Sequence, residues 1–149
     1  MPSYLNCIDG KWVPAKSGKT FLNINPADHN DVVGEFPASG ARDVAAAVEA
    51  AQKHFDKWRK TPAPRRGEII FKAREIMTHE KEQLARLMTR EMGKVLKETR
   101  GDVQEGIDTA TYFGGEGRRL FGVTTPSELP DKFCMTVRDP IGVCGLITP

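Results

Sequence analysis

The 149-residue sequence has few of the residue types from which disulfide frameworks and zinc sites are built. It holds only three cysteines, Cys7, Cys134 and Cys144, and three histidines, and no two cysteines have C-x-x-C spacing. An odd number of widely separated cysteines argues against both kinds of site. Because the sequence shows no Cys–His pair that could form a nucleophile, we interpret the cysteines as buried apolar thiols.

The sequence also lacks an excess of either charge and any long apolar run. Its 22 basic and 20 acidic residues give a net charge of +2, and the basic residues are interspersed with acids. This balance of charges gives no electrostatic ground for predicting that the protein binds nucleic acid. No stretch approaches the roughly 18 apolar residues of a membrane-spanning helix, and residues 1–18 lack the apolar region of a signal peptide. We therefore expect a cytoplasmic globular protein with no membrane and no nucleic-acid partner.

The first residues contain signals for two pairs of short β-strands. Asp9-Gly10 separates strand-forming residues 4–8 and 11–13, and such a pair favours a hairpin because both turn positions tolerate positive φ. A second pair, residues 21–25 and 32–36, is joined by a turn that begins at Pro26. The sequence predicts a β-arm over residues 4–36. Arms of this kind are marginally stable alone and lie across a larger body.

The middle of the sequence predicts a block of helices over residues 40–121. The first is predicted to begin after Ser39 as its N-cap and to end at the prolines of residues 61–64. Its apolar residues recur at helical spacing and predict a stripe that faces the core. The stripe consists of Val44, Val48, Ala51, Phe55 and Trp58. Further helices are predicted from residue 65 to 77 and from about residue 79 to Gly93, a plausible C-cap.

The last predicted helix, over residues 95–121, has small residues on its inward face. Gly114 and Gly117 on this face predict that another backbone approaches closely. Residues 115–119 also begin like the glycine fingerprint of dinucleotide-binding proteins. They lack the third glycine and lie late in a helical pattern, so we interpret these glycines as structural.

Two strands are predicted after the helices. Residues 133–139 alternate in the manner of a half-buried strand, and residues 140–149 form an apolar run between two prolines. In an open α/β sheet, a buried strand carries its carboxyl end to the edge where cofactors bind. A strand buried on both faces needs neighbouring strands. We therefore expect the chain to be the amino-terminal part of a larger protein.

Several stretches, in this order and spacing, resemble the amino-terminal portion of the aldehyde dehydrogenase superfamily over essentially the whole chain. These stretches are Ile8-Asp-Gly-Lys-Trp12, Asn25-Pro26, Asp43-Val-Ala-Ala-Ala-Val48, Thr89-Arg-Glu-Met-Gly-Lys94 and Pro140-Ile-Gly-Val-Cys-Gly-Leu-Ile-Thr-Pro149. The amino-acid sequences of residues 100–106 and 117–122 most resemble those of the semialdehyde dehydrogenases, whose substrates carry a carboxylate.

The resemblance implies an α/β fold that is the amino-terminal fragment of a doubly wound dinucleotide-binding fold. Residues 1–122 would belong to the NAD(P)-binding domain, with the β-arm over 4–36 and helices over 40–121. Residues 123–139 would form a loop and an oligomerisation strand. Residues 140–149 would form the first core strand of the dinucleotide-binding fold, in truncated form. The resemblance further implies NAD or NADP as cofactor, a small aldehyde as substrate, and a homodimer or homotetramer in the full-length parent.

Some functional positions of the family can be carried over to this sequence. Ile147, Thr148 and Pro149 match the segment that lines the cofactor cleft, chiefly by its backbone. Ile24 and Glu91 match positions that help to hold a monovalent cation in many members, although an exposed helix-terminal glutamate explains Glu91 equally well. Four residues match the wall of the substrate tunnel: Glu105, Asp108, Thr109 and Tyr112. Arg118 or Arg119 is a candidate partner of a substrate carboxylate, against the simpler interpretation of solvent-facing arginines.

The remaining catalytic positions of the family lie beyond these matches. The family continues Ile-Thr-Pro with Trp-Asn, and its nucleophilic cysteine, general-base glutamate and phosphate-binding glycine turn come later still. We therefore expect aldehyde oxidation to an acid in the full-length parent and no turnover by this polypeptide alone. Two other interpretations stay open: a non-catalytic binding or assembly module derived from the same family, and a simple truncation of a gene or product.

Overall fold

A computed structural model describes residues 1–148, and Pro149 lies outside the described residues. The elements in chain order are β1 (Asn6–Ile8), β2 (Lys11–Val13), β3 (Thr20–Ile24), β4 (Val32–Pro37), α1 (Ala41–Lys60), α2 (Ala63–His79), α3 (Lys81–Met92), α4 (Leu96–Glu116), β5 (Thr124–Thr125) and β6 (Cys134–Met135). The strands of the described residues form three antiparallel pairs, β1 with β2, β3 with β4 and β5 with β6. Within residues 1–148, no helix combines the length and the apolar character needed to cross a membrane.

The β-arm consists of the two hairpins that the sequence predicts. Asp9 and Gly10 adopt φ values of 53° and 71° at the first turn, which confirms the interpretation of this pair. The turn also contacts α1, because the Asp9 carboxylate lies 2.6 Å from Nε2 of His54 and 3.6 Å from Nζ of Lys53. The hydrogen bond with His54 and the charge of Lys53 lower the pKa of Asp9.

The start of α1 is stabilised by Asp43 and not by Ser39. The Asp43 carboxylate accepts hydrogen bonds from the backbone N–H of Gly40 at 2.9 Å and of Lys16 at 2.8 Å. Gly40 is the N-cap, and Ser39 instead exchanges hydrogen bonds with the Asn6 side chain. The prediction of Ser39 as N-cap is therefore wrong. The two backbone donors lower the pKa of Asp43, and the one from Lys16 ties the segment after β2 to the helix.

The apolar stripe of α1 is not buried in this structure. Val44 is 62% exposed and Trp58 is 47% exposed, and only Phe55 of the stripe is half-buried. Among the described residues, α1 packs against little besides the β1–β2 hairpin, so its stripe has no sheet to cover it. The three cysteines are likewise exposed, and their interpretation as buried thiols is wrong for this structure.

Helices α2, α3 and α4 form the core. Ala85, Val103 and Ile107 are buried together, and partly buried apolar side chains surround them: Met77, Leu84, Met88 and Leu96. Thr99 is fully buried, and its Oγ1 lies 2.9 Å from Oγ1 of Thr89 and 3.2 Å from the Leu96 carbonyl. These hydrogen bonds satisfy a hydroxyl that would otherwise be costly to bury. Helix α4 is thus fixed against α3 by apolar packing and one buried polar contact.

Helices α2 and α4 touch through their backbones. Gly67 of α2 faces the carbonyl of Gly114, and a Cβ on Gly114 would lie 2.7 Å from the Phe71 ring. Gly117 faces the carbonyl of Ala63 in the same way. The predicted close approach at Gly114 and Gly117 is confirmed, because neither position has room for a side chain.

The segment after α4 departs from the predicted strands. Helix α4 ends at Glu116, five residues before the predicted end, and the strand predicted over 133–139 is reduced to β6. Residues 140–148 form no strand and are exposed, with Ile141 at 93% and Leu146 at 83%. The physical reason is the one that the sequence suggested, since residues 1–148 offer no strand beside which an apolar strand could be buried. The assignments of residues 123–139 to oligomerisation and 140–149 to the first core strand stay predictions.

Candidate functional site

The structure brings together the two elements that carry the predicted cation ligands. Ile24 ends β3, and Glu91 lies in the last turn of α3. Nδ2 of Asn23 donates a hydrogen bond to Oε1 of Glu91 at 3.4 Å. Gly93 caps α3 in the left-handed conformation with φ 72°, which confirms its predicted role, and it packs against Pro26 after β3. The assignment of Ile24 and Glu91 to a cation stays a prediction.

An ion pair beside this junction was not visible in the sequence. Arg90 of α3 donates two hydrogen bonds to Asp31, at 2.9 and 2.6 Å, in the bidentate geometry that guanidinium and carboxylate favour. A further hydrogen bond joins Arg90 to the Val32 carbonyl at 3.4 Å. The hydrogen bonds from Arg90 and Asn25 lower the pKa of Asp31 to about 2. The two partners are 59 residues apart, so no local pattern could have paired them.

Helix α4 has a buried face and an opposite exposed face. The buried face carries Thr99, Val103, Ile107 and Gly114. The four predicted tunnel residues, Glu105, Asp108, Thr109 and Tyr112, are all exposed and lie on the opposite side at spacings of three, four and seven residues. The structure therefore places these four side chains on one accessible surface, which we call the α4 outer face. Their role in a substrate tunnel stays a prediction.

Two carboxylates on this side of α4, Asp108 and Glu116, take part in polar contacts. Oδ1 of Asp108 accepts a hydrogen bond from Gln104 at 2.9 Å, and Oε1 of Gln104 accepts one from Nζ of Lys81 at 2.7 Å. One turn beyond Tyr112, Glu116 is bonded to Arg119 at 2.6 and 3.0 Å. Sequence reasoning missed Lys81 and Gln104, because Lys81 belongs to another helix.

Arg119 is hydrogen-bonded within the chain, although half of its side chain is exposed. Its hydrogen bonds to Glu116 raise its pKa, and its guanidinium lies 5.7 Å from the centre of the Tyr112 ring, within cation–π range. Arg118 is exposed. Of the two arginines, only Arg119 is thus shown in contact with a predicted tunnel residue.

Further ion pairs fix α4 to α3 and to the segment between the two helices. Glu82 accepts two hydrogen bonds from Arg100, both at 2.8 Å, and also pairs with Arg86 at 2.7 Å. The hydrogen bonds from Arg100 lower the pKa of Glu82 to about 2. Lys94 pairs with Asp102 at 2.5 Å, and this contact raises the pKa of the lysine. Arg100 and Asp102 lie on different sides of α4, so the two pairs fix the helix to α3 and to the segment between the two helices.

The depressed pKa values predict acid sensitivity. Because the folded-state pKa of Asp31 and of Glu82 lies near 2, below the ordinary 3.8 and 4.5, their ion pairs contribute full stability above about pH 4.5. That contribution is lost as the pH falls toward 2. We expect the melting temperature, measured by circular dichroism, to fall over this window.

Melting curves of variants test whether the loss of stability at low pH comes from these two ion pairs. Asp31→Asn and Glu82→Gln should melt at lower temperature than the wild type at about pH 7 and lose less on acidification. Glu75→Gln, an exposed position on α2, is the matched control and should follow the wild-type curve. Parallel curves for wild type and both ion-pair variants would contradict this assignment.

The predicted cofactor residues are accessible in this structure. Ile147 is fully exposed, Thr148 is exposed, and Pro149 lies outside the described residues. No backbone hydrogen bond joins Ile147 or Thr148 to another of residues 1–148. Their assignment to the cofactor cleft stays a prediction. The glycines of residues 114–117 lie at the carboxyl end of α4, as the structural interpretation of these glycines requires.

Comparison with known proteins supports the resemblance read from the sequence. The alpha-ketoglutaric semialdehyde dehydrogenase of Bacillus subtilis is 43% identical over 147 residues, which are 99% of this chain and 30% of that protein. A crystal structure of succinate-semialdehyde dehydrogenase from Burkholderia pseudomallei matches with a TM-score of 0.89 and 33% identity, over 95% of this chain and 29% of that one. The NAD-dependent aldehyde dehydrogenase of Sinorhizobium meliloti matches with a TM-score of 0.87 and 33% identity, over 93% and 28%.

These matches also define what part of the family the chain represents. It spans about 30% of the length of the curated relatives that it matches, and the likeness to the solved structures shows the same α/β fold. The family model described as aldehyde dehydrogenase family matches residues 12–149. The chain therefore belongs to the aldehyde dehydrogenase family.

Proposed function

We propose that residues 1–149 form the amino-terminal part of an NAD(P)-dependent dehydrogenase that oxidises a semialdehyde to a carboxylic acid. The observation that carries the proposal is the identity to a semialdehyde dehydrogenase across almost the whole chain. In such an enzyme a cysteine thiolate adds to the aldehyde carbonyl and a glutamate activates the water that releases the acid. The nicotinamide, when bound, accepts the hydride.

The contribution of these residues is to bind and position. Ile147, Thr148 and Pro149 would line the cofactor cleft by their backbone, and the uncommitted backbone of Ile147 and Thr148 is compatible with that role. The α4 outer face would form one wall of the substrate tunnel. The ion pair of Glu82 with Arg100 supports this role, because it helps to hold that helix at a fixed position on α3.

Three finer properties belong to the same proposal. Ile24, by its carbonyl, and Glu91 would hold a monovalent cation, and oxygen ligands suit such a hard ion. The contact of Asn23 with Glu91 supports this pairing, because it keeps the carboxylate beside the end of β3. The enzyme would act in the cytoplasm as a homodimer or homotetramer.

The test is aldehyde-dependent formation of NADH or NADPH by the purified full-length protein. We expect turnover with carboxylate-bearing aldehydes and none by residues 1–149 expressed alone. Absence of turnover with every aldehyde and both cofactors would favour the assembly-module interpretation.

The same assay in sodium, potassium and tetramethylammonium salts tests the cation. Glu91→Gln should remove any dependence of activity or melting temperature on the small cations, with Glu75→Gln as a control that keeps it. If wild type and Glu91→Gln respond identically to the three salts, Glu91 is not a cation ligand.

A further inference from the structure

Residues 2–4 lie along the outer edge of β4 as an extended segment that runs parallel to it. The backbone N–H of Tyr4 donates a hydrogen bond to the Glu35 carbonyl at 2.9 Å, and the N–H of Glu35 donates one to the Pro2 carbonyl at 3.0 Å. Ser3 and Glu35 thereby form a parallel β-bridge. Residues 2–4, which we call the N-terminal strap, therefore add a third extended segment to the β3–β4 hairpin.

The side chain of Tyr4 anchors the N-terminal strap. Its ring stacks on Phe36, with ring centroids 4.6 Å apart and planes 12° apart, and Phe36 stacks in turn on Phe21 of β3 at 6.0 Å. The ring also lies across Gly34, where a Cβ would come within 2.6 Å of it. A glycine inside a strand often marks such a close approach. Three aromatic side chains thus run across the strap, β4 and β3, beside a space that Gly34 leaves open.

The N-terminal strap is held by few contacts and does not complete the hairpin. Its three residues are exposed, Tyr4 at 41%. Along its other edge, β4 pairs with Thr20–Ile24 of β3, and this pairing does not involve the strap. The strap also precedes the start of the family match at residue 12, and the resemblance assigns it no role. Terminal segments with few buried contacts open at low cost in free energy, so the strap can leave while the hairpin stays folded.

We propose that the outer edge of β4 is an acceptor site for an extended peptide with an aromatic side chain over Gly34, and that the N-terminal strap of the same chain fills it. Backbone hydrogen bonds to Glu35 supply binding by strand addition, and the space above Gly34 supplies selectivity for an aromatic ring. Without the strap, the N–H and carbonyl of Glu35 would be available to another chain. The inference is independent of the proposed function, because it concerns the β-arm alone.

Residue-resolved hydrogen exchange of the full-length protein tests the strap. The Glu35 amide reports on the strap, and the Phe36 amide reports on the hairpin, because successive residues of a strand point their backbone groups to opposite edges. Deletion of residues 2–5, or Tyr4→Ala, should speed exchange at Glu35 by roughly tenfold and leave Phe36 within about twofold of the wild type. Leu5→Ala is the matched control, since Leu5 is 43% exposed and adjacent to Tyr4, and it should keep the wild-type rates.

A peptide added in trans tests whether the edge is an acceptor site. A synthetic peptide of residues 1–6, added in excess to the deletion variant, should restore slow exchange at Glu35, and the same peptide with Tyr4→Ala should not. Gly34→Ala should speed exchange at Glu35 in the otherwise unchanged protein, because its Cβ displaces the Tyr4 ring. In the deletion variant no ring is there to displace, and Gly34→Ala should change the rate less than about twofold.

Each part of the proposal has an outcome that overturns it. Equal exchange at Glu35 with and without residues 2–5 would overturn the strap, and faster exchange at Phe36 as well would mean that these residues belong to the fold of the hairpin and fill no separate site. A deletion variant that neither peptide protects overturns the acceptor site, and equal protection by both peptides overturns the selectivity for an aromatic ring. If the deletion variant fails to fold, Tyr4→Ala takes its place in the peptide experiment.

Discussion

Replacement of Ile107 by alanine is expected to lower the free energy of unfolding by about 3 kcal/mol. Ile107 is only 6% exposed and belongs to the buried cluster with Ala85 and Val103. The substitution removes buried apolar atoms and leaves a cavity that helices fixed by cross-helix ion pairs can close only in part. Denaturant unfolding followed by circular dichroism measures the loss.

A matched deletion on the surface separates burial from residue type. Ile69→Ala on α2 removes the same atoms from a side chain that is 57% exposed, and we expect a loss of no more than about 1 kcal/mol. Equal losses for the two variants would mean that α4 does not pack against α3 as described. An unchanged slope against denaturant concentration would show that only stability has changed.

The second large effect is expected at the contact between α2 and α4, where Gly67→Ala should destabilise the protein by about 2 kcal/mol. A methyl group on Gly67 would collide with the carbonyl oxygen of Gly114, a backbone atom that cannot rotate away. The two helices would have to separate, and the packing between them would loosen. This cost exceeds the gain of about 1 kcal/mol that alanine brings to a helix interior.

Gly101→Ala on α4 provides a control with the opposite sign. It is also a helical glycine, and a Cβ there would meet nothing within 4 Å. With no collision, only the helix propensity remains, and the variant should be more stable than wild type by about 0.5–1 kcal/mol. Thermal melts of both variants decide the matter: a stabilised Gly67→Ala would refute the close approach of α2 and α4.

Local sequence signals predicted the local features well. Asp9-Gly10 indicated the first hairpin and Gly93 the end of α3, because each depends on the φ preference of one or two residues. Gly114 and Gly117 predicted that another backbone approaches α4 closely, because glycines on the inward face of a helix leave room for one. The resemblance to the family was confirmed for the same reason, since it rested on short stretches in a fixed order.

Features that depend on distant partners could not be predicted. Asp31 and Arg90 are joined across two elements, and Lys81 reaches Gln104 from another helix. Asp43 stabilises the start of α1, and its carboxylate also accepts a hydrogen bond from Lys16, which lies 27 residues earlier in the segment after β2. The apolar stripe of α1 is another such feature. Periodicity predicts which face of the helix is apolar, but it does not predict whether another part of the protein covers that face.

For the candidate site, the sequence predicted which residues share a helix face better than it predicted the contacts that their side chains make. Spacing alone placed Glu105, Asp108, Thr109 and Tyr112 on one face, and the structure agrees. It could not show that Gln104 joins Lys81 of α3 to Asp108, because that contact comes from the packing of α3 against α4. The polar contacts of this surface therefore follow from the fold and not from the count of acidic residues.

The helical core has a consequence for the order of events during synthesis. Its buried cluster and the partly buried side chains around it lie between Met77 and Ile107, and the contact of α2 with α4 ends at Gly117. Contacts so close in sequence form quickly, and domains fold from the amino terminus as the chain emerges. We expect this core to be complete while Ile141, Leu146 and Ile147 are still newly made and uncovered. These three residues would then be accessible to chaperones after the core has formed, as the apolar stripe of α1 already is.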